Sequence, residues 1–149
     1  LSPEIRDDIK VFKHQSITQF CYPGNLDIRS AEMQQKIIHI IHEIWRKEAH
    51  VYLINRTKEL ADQFGFSISK VSVRITKSRW GSCSIHNAIN LSLYLMQLPD
   101  ELIDMIILHE LCHTRIKNHG TTYKALLASV CTNVKQLEKE LKSYSVYPF

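Results

Sequence analysis

An α+β fold is the class this sequence predicts, on three observations. Apolar residues recur at helical spacing over a long stretch from Ser30, two shorter stretches alternate apolar with polar, and the segment after Pro99 is apolar almost all round. The order helix, strands, helix, helix places a small antiparallel sheet against helices.

Taken in order, IKVFKHQSITQF (9–20) alternates in part and predicts strand structure, closed by the turn chemistry of CYPGN. From Ser30 the period changes. Met33, Ile37, Ile40, Ile41, Ile44, Trp45, Leu53 and Leu60 mark one long amphipathic helix, with Ser30 as N-cap, a break expected near Ala49, and Phe64-Gly65 as its end. SISKVSVRITKS (67–78) sets Ile68, Val71, Val73 and Ile75 against Lys70, Ser72, Arg74 and Thr76, the period of a half-buried strand. AINLSLYLMQLP (88–99) alternates again through Ile89, Leu91, Leu93 and Leu95, so the two are expected to pair as a hairpin across RWGSCSIHN. Pro99 opens a second helix as its first residue, and Leu102 to Leu111 is apolar enough to be buried. After NHG a last helix is expected from Thr121 to Lys142, with Tyr123, Leu126, Leu127, Val130, Val134, Leu137 and Leu141 at heptad-like spacing.

No repeat, linker or low-complexity tract interrupts the chain, so residues 1–149 read as a single domain. At 149 residues such a domain buries roughly two-thirds of the surface its unfolded chain exposes and needs no disulfide staples. No apolar run approaches the ~20 residues that span a bilayer, which removes membrane-spanning functions. The opening LSPEIRDD is acidic and lacks an apolar core, so no secretory leader is expected. Cys21, Cys83, Cys112 and Cys131 form no CxxC pair and read as small buried hydrophobes, reduced in a cytoplasm. A net charge of +4 permits a polyanionic partner without announcing one.

Chemistry concentrates in HELCHTRIKNH (109–119). Residues four apart share a helix face with Cβ atoms roughly 6 Å apart, so His109 and His113 can offer imidazole nitrogens to one zinc ion. Glu110 lies about 100° round, placed to take a proton from a water on the metal rather than to bind the metal. On an unbroken helix His119 would sit roughly 12 Å along the axis from the other two, so its participation requires a turn. Asn118, which tolerates the left-handed conformation, and Gly120 are the expected means. The spacing HExxHxxxxxH equals that of the metzincins, but their glycine falls at Ile116, so the turn must come later. Chance and a satisfied core histidine are the competing explanations. Against them, Glu110 and two histidines interrupt an otherwise apolar helix, where an uncompensated charge costs several kcal/mol. His39, His42 and His50 have no matching carboxylate motif and read as solvated or partly buried; His86, in the connector before the second strand, can face the site, but neither it nor His14 is expected as a ligand. Asp104, five residues before His109, is a weak outer partner for an imidazole.

With RWGSCS at 79–84, INLSLYLMQLP at 89–99, HELCH at 109–113 and NH at 118–119, the sequence resembles the YgjP-like family of predicted zinc-dependent metallohydrolases. These are zincin-like proteins related in motif to the Wss1-like and SprT-like proteases. The resemblance is detailed over roughly residues 70–127. It implies His109, His113 and His119 as ligands of one zinc, Glu110 as catalyst, and Arg79 to Ser84, with Trp80 and Ser82, as a signature beside the cleft. The family usually has serine at Gly120, two aromatics at Tyr123-Lys124 and often arginine at Tyr94, so an altered pocket wall is expected here.

These readings combine into a metallopeptidase in which three histidines hold zinc with a fourth position open to water and Glu110 acts as base. Mn, Co and Ni also suit such ligands. Tyr123, four residues past His119, leads the candidates for stabilising the transition state, followed by Tyr94, Arg79 and Arg115. A peptide substrate is expected to pair with the strand from Ile89 to Leu95. Within the family a nucleoside triphosphate pyrophosphohydrolase is the rival enzyme, with Lys70, Arg74, Lys77 and Arg79 as phosphate receivers. A DNA-associated protease or nucleic-acid-binding module is a third reading, with Trp80 among basic residues as a stacking platform, although core packing is the plainer explanation of Trp80.

Overall fold

A computed structural model describes residues 4–6, 9–14 and 17–149 of the chain. The His14 side chain and residues 1–3 and 7–8 of the opening segment lie outside the described residues. The contacts group into two compact units, residues 1–39 and 40–149.

In the first unit β1 (Glu4–Arg6), β2 (Ile9–His14) and β3 (Ile17–Cys21) form an antiparallel sheet in that order. The alternating stretch 9–20 therefore holds two strands rather than one. The CYPGN turn follows as expected, with the Leu26 amide bonded to the Pro23 carbonyl. Ser30 caps α1 (Ala31–Phe64), its Oγ accepting the Met33 amide at 3.2 Å.

α1 continues without a break through Ala49, which is fully buried; its methyl lets the helix face the core closely and no cap or proline interrupts the ladder. The helix ends as the sequence predicts. Gly65 adopts a φ of 71° and the Phe66 amide returns to the Ala61 carbonyl at 2.8 Å.

The sheet of the second unit differs from the expected hairpin. β4 (Lys70–Arg74), β5 (Gly81–Cys83) and β6 (Ala88–Ser92) take the order β4-β6-β5, with β4 parallel and β5 antiparallel to β6. The connector RWGSCSIHN thus supplies the third strand, and the hairpin joins β5 to β6 through a turn with Asn87 left-handed at φ 63°. β6 is also shorter than its alternation suggested. Ser92 is fully buried; its Oγ accepts the Tyr94 amide at 3.2 Å and opens a 3-10 turn, Leu93–Gln97, so Leu93 and Leu95 are buried from a helical turn.

α2 (Asp100–Cys112) follows Pro99, which serves as N-cap one residue before the expected position. It is the centre of the core. Leu102, Ile103, Met105, Ile106, Ile107, Leu108 and Leu111 are all buried, packed with Leu53 and Leu60 of α1 and with Ile89 and Leu91 of β6. The Arg56 guanidinium grips the Asp104 carboxylate at 2.8 and 2.7 Å, tying α1 to α2, so Asp104 is not an imidazole partner. The expected last helix is two, α3 (Thr121–Val130) and α4 (Val134–Leu141), separated where Asn133 turns left-handed at φ 58°. Among the described residues no helix is long and apolar enough to cross a membrane.

Candidate metal centre

α2 stops at Cys112, and the chain turns at once. The amides of His113, Thr114 and Arg115 reach the carbonyls of Glu110, Leu111 and Cys112 at 3.0–3.1 Å, the tight pattern of a closing turn. The turn does not come from a left-handed residue: neither Asn118 nor Gly120 has a positive φ. Gly120, at φ −73° and ψ −170°, is instead the N-cap of α3, and Asn118 Oδ1 accepts its amide at 3.0 Å. The turn is held from outside. Lys117 Nζ donates to Asn87 Oδ1 at 2.7 Å and to the Ser84 carbonyl at 3.0 Å, clamping it to the β5–β6 hairpin.

This early turn returns His119 to the end of α2. One ligand atom from each of His109, His113 and His119 lies within 4.8 Å of the others. His119 Nε2 sits 2.9 Å from His113 Nε2 and 3.4 Å from His109 Nε2. Tetrahedral zinc with Zn–N of ~2.0–2.1 Å separates its nitrogens by about 3.3 Å, so the cluster fits one such ion with small side-chain adjustment. The donor chemistry agrees. His113 Nδ1 donates to the Ile116 carbonyl at 2.8 Å, which fixes the tautomer that leaves Nε2 free as a ligand.

Glu110 is buried at 7% exposure, and burial pushes its carboxyl up to about 7, with the Arg79 charge opposing. Burial, then the neighbouring His113 and His119, hold His109 down at about 4. β5 presses against Glu110: a Cβ on Gly81 would stand 3.1 Å from Glu110 Cγ and 3.1 Å from the Asn90 carbonyl oxygen, so a larger residue there would make the Glu110 side chain or the strand give way.

In the metal-free protein these two groups act on stability in opposite directions. His109 takes its proton at about 4 folded and 6.5 unfolded, so stability present above 6.5 is lost as pH falls toward 4. Glu110 holds its proton to about 7 folded against 4.5 unfolded, so stability is lost as pH rises through that window. Glu110→Gln removes the second effect alone. Relative to wild type, the metal-free variant should gain on the order of 3 kcal/mol between pH 4.5 and 8. Urea unfolding across that range checks this; a constant difference contradicts the buried-carboxyl assignment.

Tyr123, buried at 2% exposure, touches all three histidines. Its ring stacks on His113 (4.5 Å between centroids, 16° between planes) and meets His109 and His119 edge-on at 5.4 and 5.1 Å. Its hydroxyl donates to the His109 carbonyl at 2.9 Å, satisfying a carbonyl left open by the end of α2. That donor is engaged with backbone, so Tyr123 serves here as a wall and brace. Tyr123→Phe should keep the stack and cost about 1 kcal/mol of stability, while Tyr123→Leu should also weaken zinc binding. Calorimetric zinc titration of both variants separates the two contributions.

The other expected site residues divide. Arg79 and Trp80 line a cavity of about 330 Å³ that also includes His109, Glu110 and Gly81. Trp80 is half-buried against the core. Ser82 falls between Gly81 and Cys83, so strand alternation turns it to the face away from Glu110. Tyr94 is fully buried elsewhere, its hydroxyl 3.0 Å from His42 Nε2 and its ring against Trp45 and Tyr147. Arg115 caps α1, donating to the Gly65 carbonyl at 2.6 Å, and His86 is exposed in the hairpin turn. The strand carrying Ile89 is central, so its backbone is already paired on both sides and cannot receive a peptide; the sheet's edges are β4 and β5, and of these β5 abuts Glu110.

The four cations considered for phosphate do not converge. Lys77 lies over the Tyr147 ring at 4.4 Å, Arg74 lines a different cavity with Arg46 and His50, and only Arg79 reaches the cluster's cavity. The roles of Lys117 and Ser92 were not anticipated, whereas Gly81 falls within the expected signature 79–84. Ser92 Oγ donates to the Thr76 carbonyl at 2.9 Å and the Ser92 amide to the Trp80 carbonyl at 2.9 Å, anchoring the loop that carries Arg79 and Trp80. A buried serine ending an alternating stretch was the one available signal.

The sequence model of the family described as YgjP-like, metallopeptidase domain, matches residues 5–144. Comparison with curated proteins yields no match. Among solved structures the chain is similar to the metallopeptidase zymogen jannalysin of Methanocaldococcus jannaschii, at 23% identity and a TM-score of 0.55 over 61% of this chain and 94% of that one. It is similar also to the metallopeptidase zymogen abylysin of Pyrococcus abyssi, at 20% identity and a TM-score of 0.55 over 61% and 92%. At these identities the likeness bears on fold alone, a zincin-like α+β arrangement.

Proposed function

The chain belongs to the YgjP-like metallopeptidase family, and from that premise we propose that it cleaves peptide bonds with Glu110 as general base and His109, His113 and His119 as the ligands of one zinc ion. The supporting observation is the proximity of three imidazole nitrogens within 4.8 Å to a buried carboxyl in the next residue of the same helix. When bound, the metal would supply Lewis acidity and make water a nucleophile near neutral pH.

The chain's own groups do the rest. Glu110, neutral or ionised near pH 7 because of its burial, takes the proton from the attacking water and can return it to the leaving amine. His113 is oriented by the Ile116 carbonyl, and the Tyr123 ring packs edge-on against His109, which limits rearrangement during the reaction. A peptide backbone adding to the open edge of β5 would run past Glu110, because Gly81 of that strand abuts the carboxyl side chain.

We read residues 1–149 as one functional domain, since the family match runs through both compact units. Four free cysteines suit a reducing compartment, and we place the protein in the cytoplasm on that ground. Zinc-loaded protein offered a denatured polypeptide beside a panel of nucleoside triphosphates tests the substrate class. Cleavage of the polypeptide alone is expected; hydrolysis of the nucleotides alone would replace the reading.

A further inference from the structure

The cavity beside the cluster has a composition that the catalytic groups do not explain. Beyond His109 and Glu110 its walls are Trp80, Met105, Ile106, Leu127 and Leu141, brought together from the β5 approach, α2, α3 and α4. Met105, Ile106 and Leu127 are buried. Apart from the catalytic pair, the charged members are Arg79 and Glu138, both exposed and of opposite sign, so they form a rim whose charges offset each other. Two cavities of similar size, one walled by Arg56, Leu60 and Leu137 and the other by Arg46, His50 and Arg74, contain none of the cluster's residues.

We propose that this cavity is a specificity pocket that receives one bulky apolar side chain, aromatic or branched aliphatic, from the substrate residue next to the scissile bond. The inference rests on the peptidase reading above. His109 and Glu110 are part of the wall, so whatever fills the cavity is held directly beside the reacting atoms. Its volume of about 330 Å³ lies at the small end of ligand pockets, ~300–1,000 Å³, and leaves ample room for one bulky side chain. A charged side chain would lose its hydration against five apolar walls, where the polar groups, His109 and Glu110, are in this reading committed to the metal and the attacking water. Leu141, half-buried at the end of α4, and Trp80 set the size of the opening.

The test uses zinc-loaded Glu110→Gln protein, which leaves peptides intact, and blocked alanine pentapeptides with Phe, Leu, Ala or Asp at the centre. Calorimetric titration should show the Phe and Leu peptides binding at least about tenfold tighter than the Ala peptide, with the Asp peptide no tighter than Ala. Leu141→Trp, which fills the cavity, should bring Phe and Ala within about twofold while zinc binding is unchanged. Should that variant fold poorly, Leu141→Ala should instead move the preference to a Trp-centred peptide. Equal binding of the Phe and Ala peptides, no binding of any peptide, or a preference unmoved by either Leu141 variant overturns the pocket. Wild-type protein incubated with the Phe peptide tests the reading beneath: a binding preference without cleavage removes the peptidase, and cleavage without a preference removes the pocket.

Discussion

Glu110→Gln is expected to lower peptide hydrolysis by about 10²–10⁴-fold at unchanged zinc content, the range a positioned general base contributes. The size of the loss follows from the surroundings. Glu110 is the buried carboxyl in the next residue to His109, and burial brings its proton affinity to about 7, where it can both accept and return a proton at neutral pH. Glutamine keeps the shape against Gly81 and removes the exchangeable proton. Kinetics on one peptide, with zinc measured in the same samples, checks the prediction. Full activity in Glu110→Gln would refute the role. Activity that instead falls in Glu138→Gln would move the base to α4, since Glu138 lines the same cavity.

His119→Ala should be as costly by another route. His109 and His113 share the end of α2, but two ligands leave a divalent ion half-held, and His119 arrives from beyond the turn to complete three. Its loss should weaken zinc binding by more than the roughly 10–100-fold typical of removing an outer partner, and activity should fall with occupancy. Stability offers a second readout. At zinc a hundredfold above its Kd the wild type should gain about 2.7 kcal/mol against unfolding, and His119→Ala at the same zinc concentration much less.

The parts of this molecule that are local in sequence were legible in it. Ser30 caps α1, Gly65 ends it, and the candidate pair His109 and His113 with Glu110 stands within five residues, where helix geometry alone places the side chains. What depended on partners far along the chain was not. Alternation at 67–78 and 88–99 shows strand period but not which strand lies between; the three residues Gly81–Cys83 became an edge strand because β6 pairs on both sides. The heptad-like spacing from Tyr123 to Leu141 survives in two helices because each buries its own apolar residues, Tyr123 and Leu127 in one and Leu137 in the other, across the left-handed Asn133. The turn after Cys112 shows the same limit. Asn118 and Gly120 have turn chemistry, but Lys117 on the hairpin and Tyr123 on the His109 carbonyl hold the earlier bend. Tyr94 joined the site by resemblance and sits instead beside His42, because the 3-10 turn at Leu93–Gln97 rotates it into the core.

X-ray absorption of the zinc-loaded protein bears most directly on the three-histidine centre, because the ligand shell identifies its own donors. Three imidazoles and one light oxygen-type ligand, falling to two imidazoles in His119→Ala, is the expected spectrum. A sulfur ligand from any of the four free cysteines, or a wild-type spectrum unchanged by the His119 substitution, would contradict it.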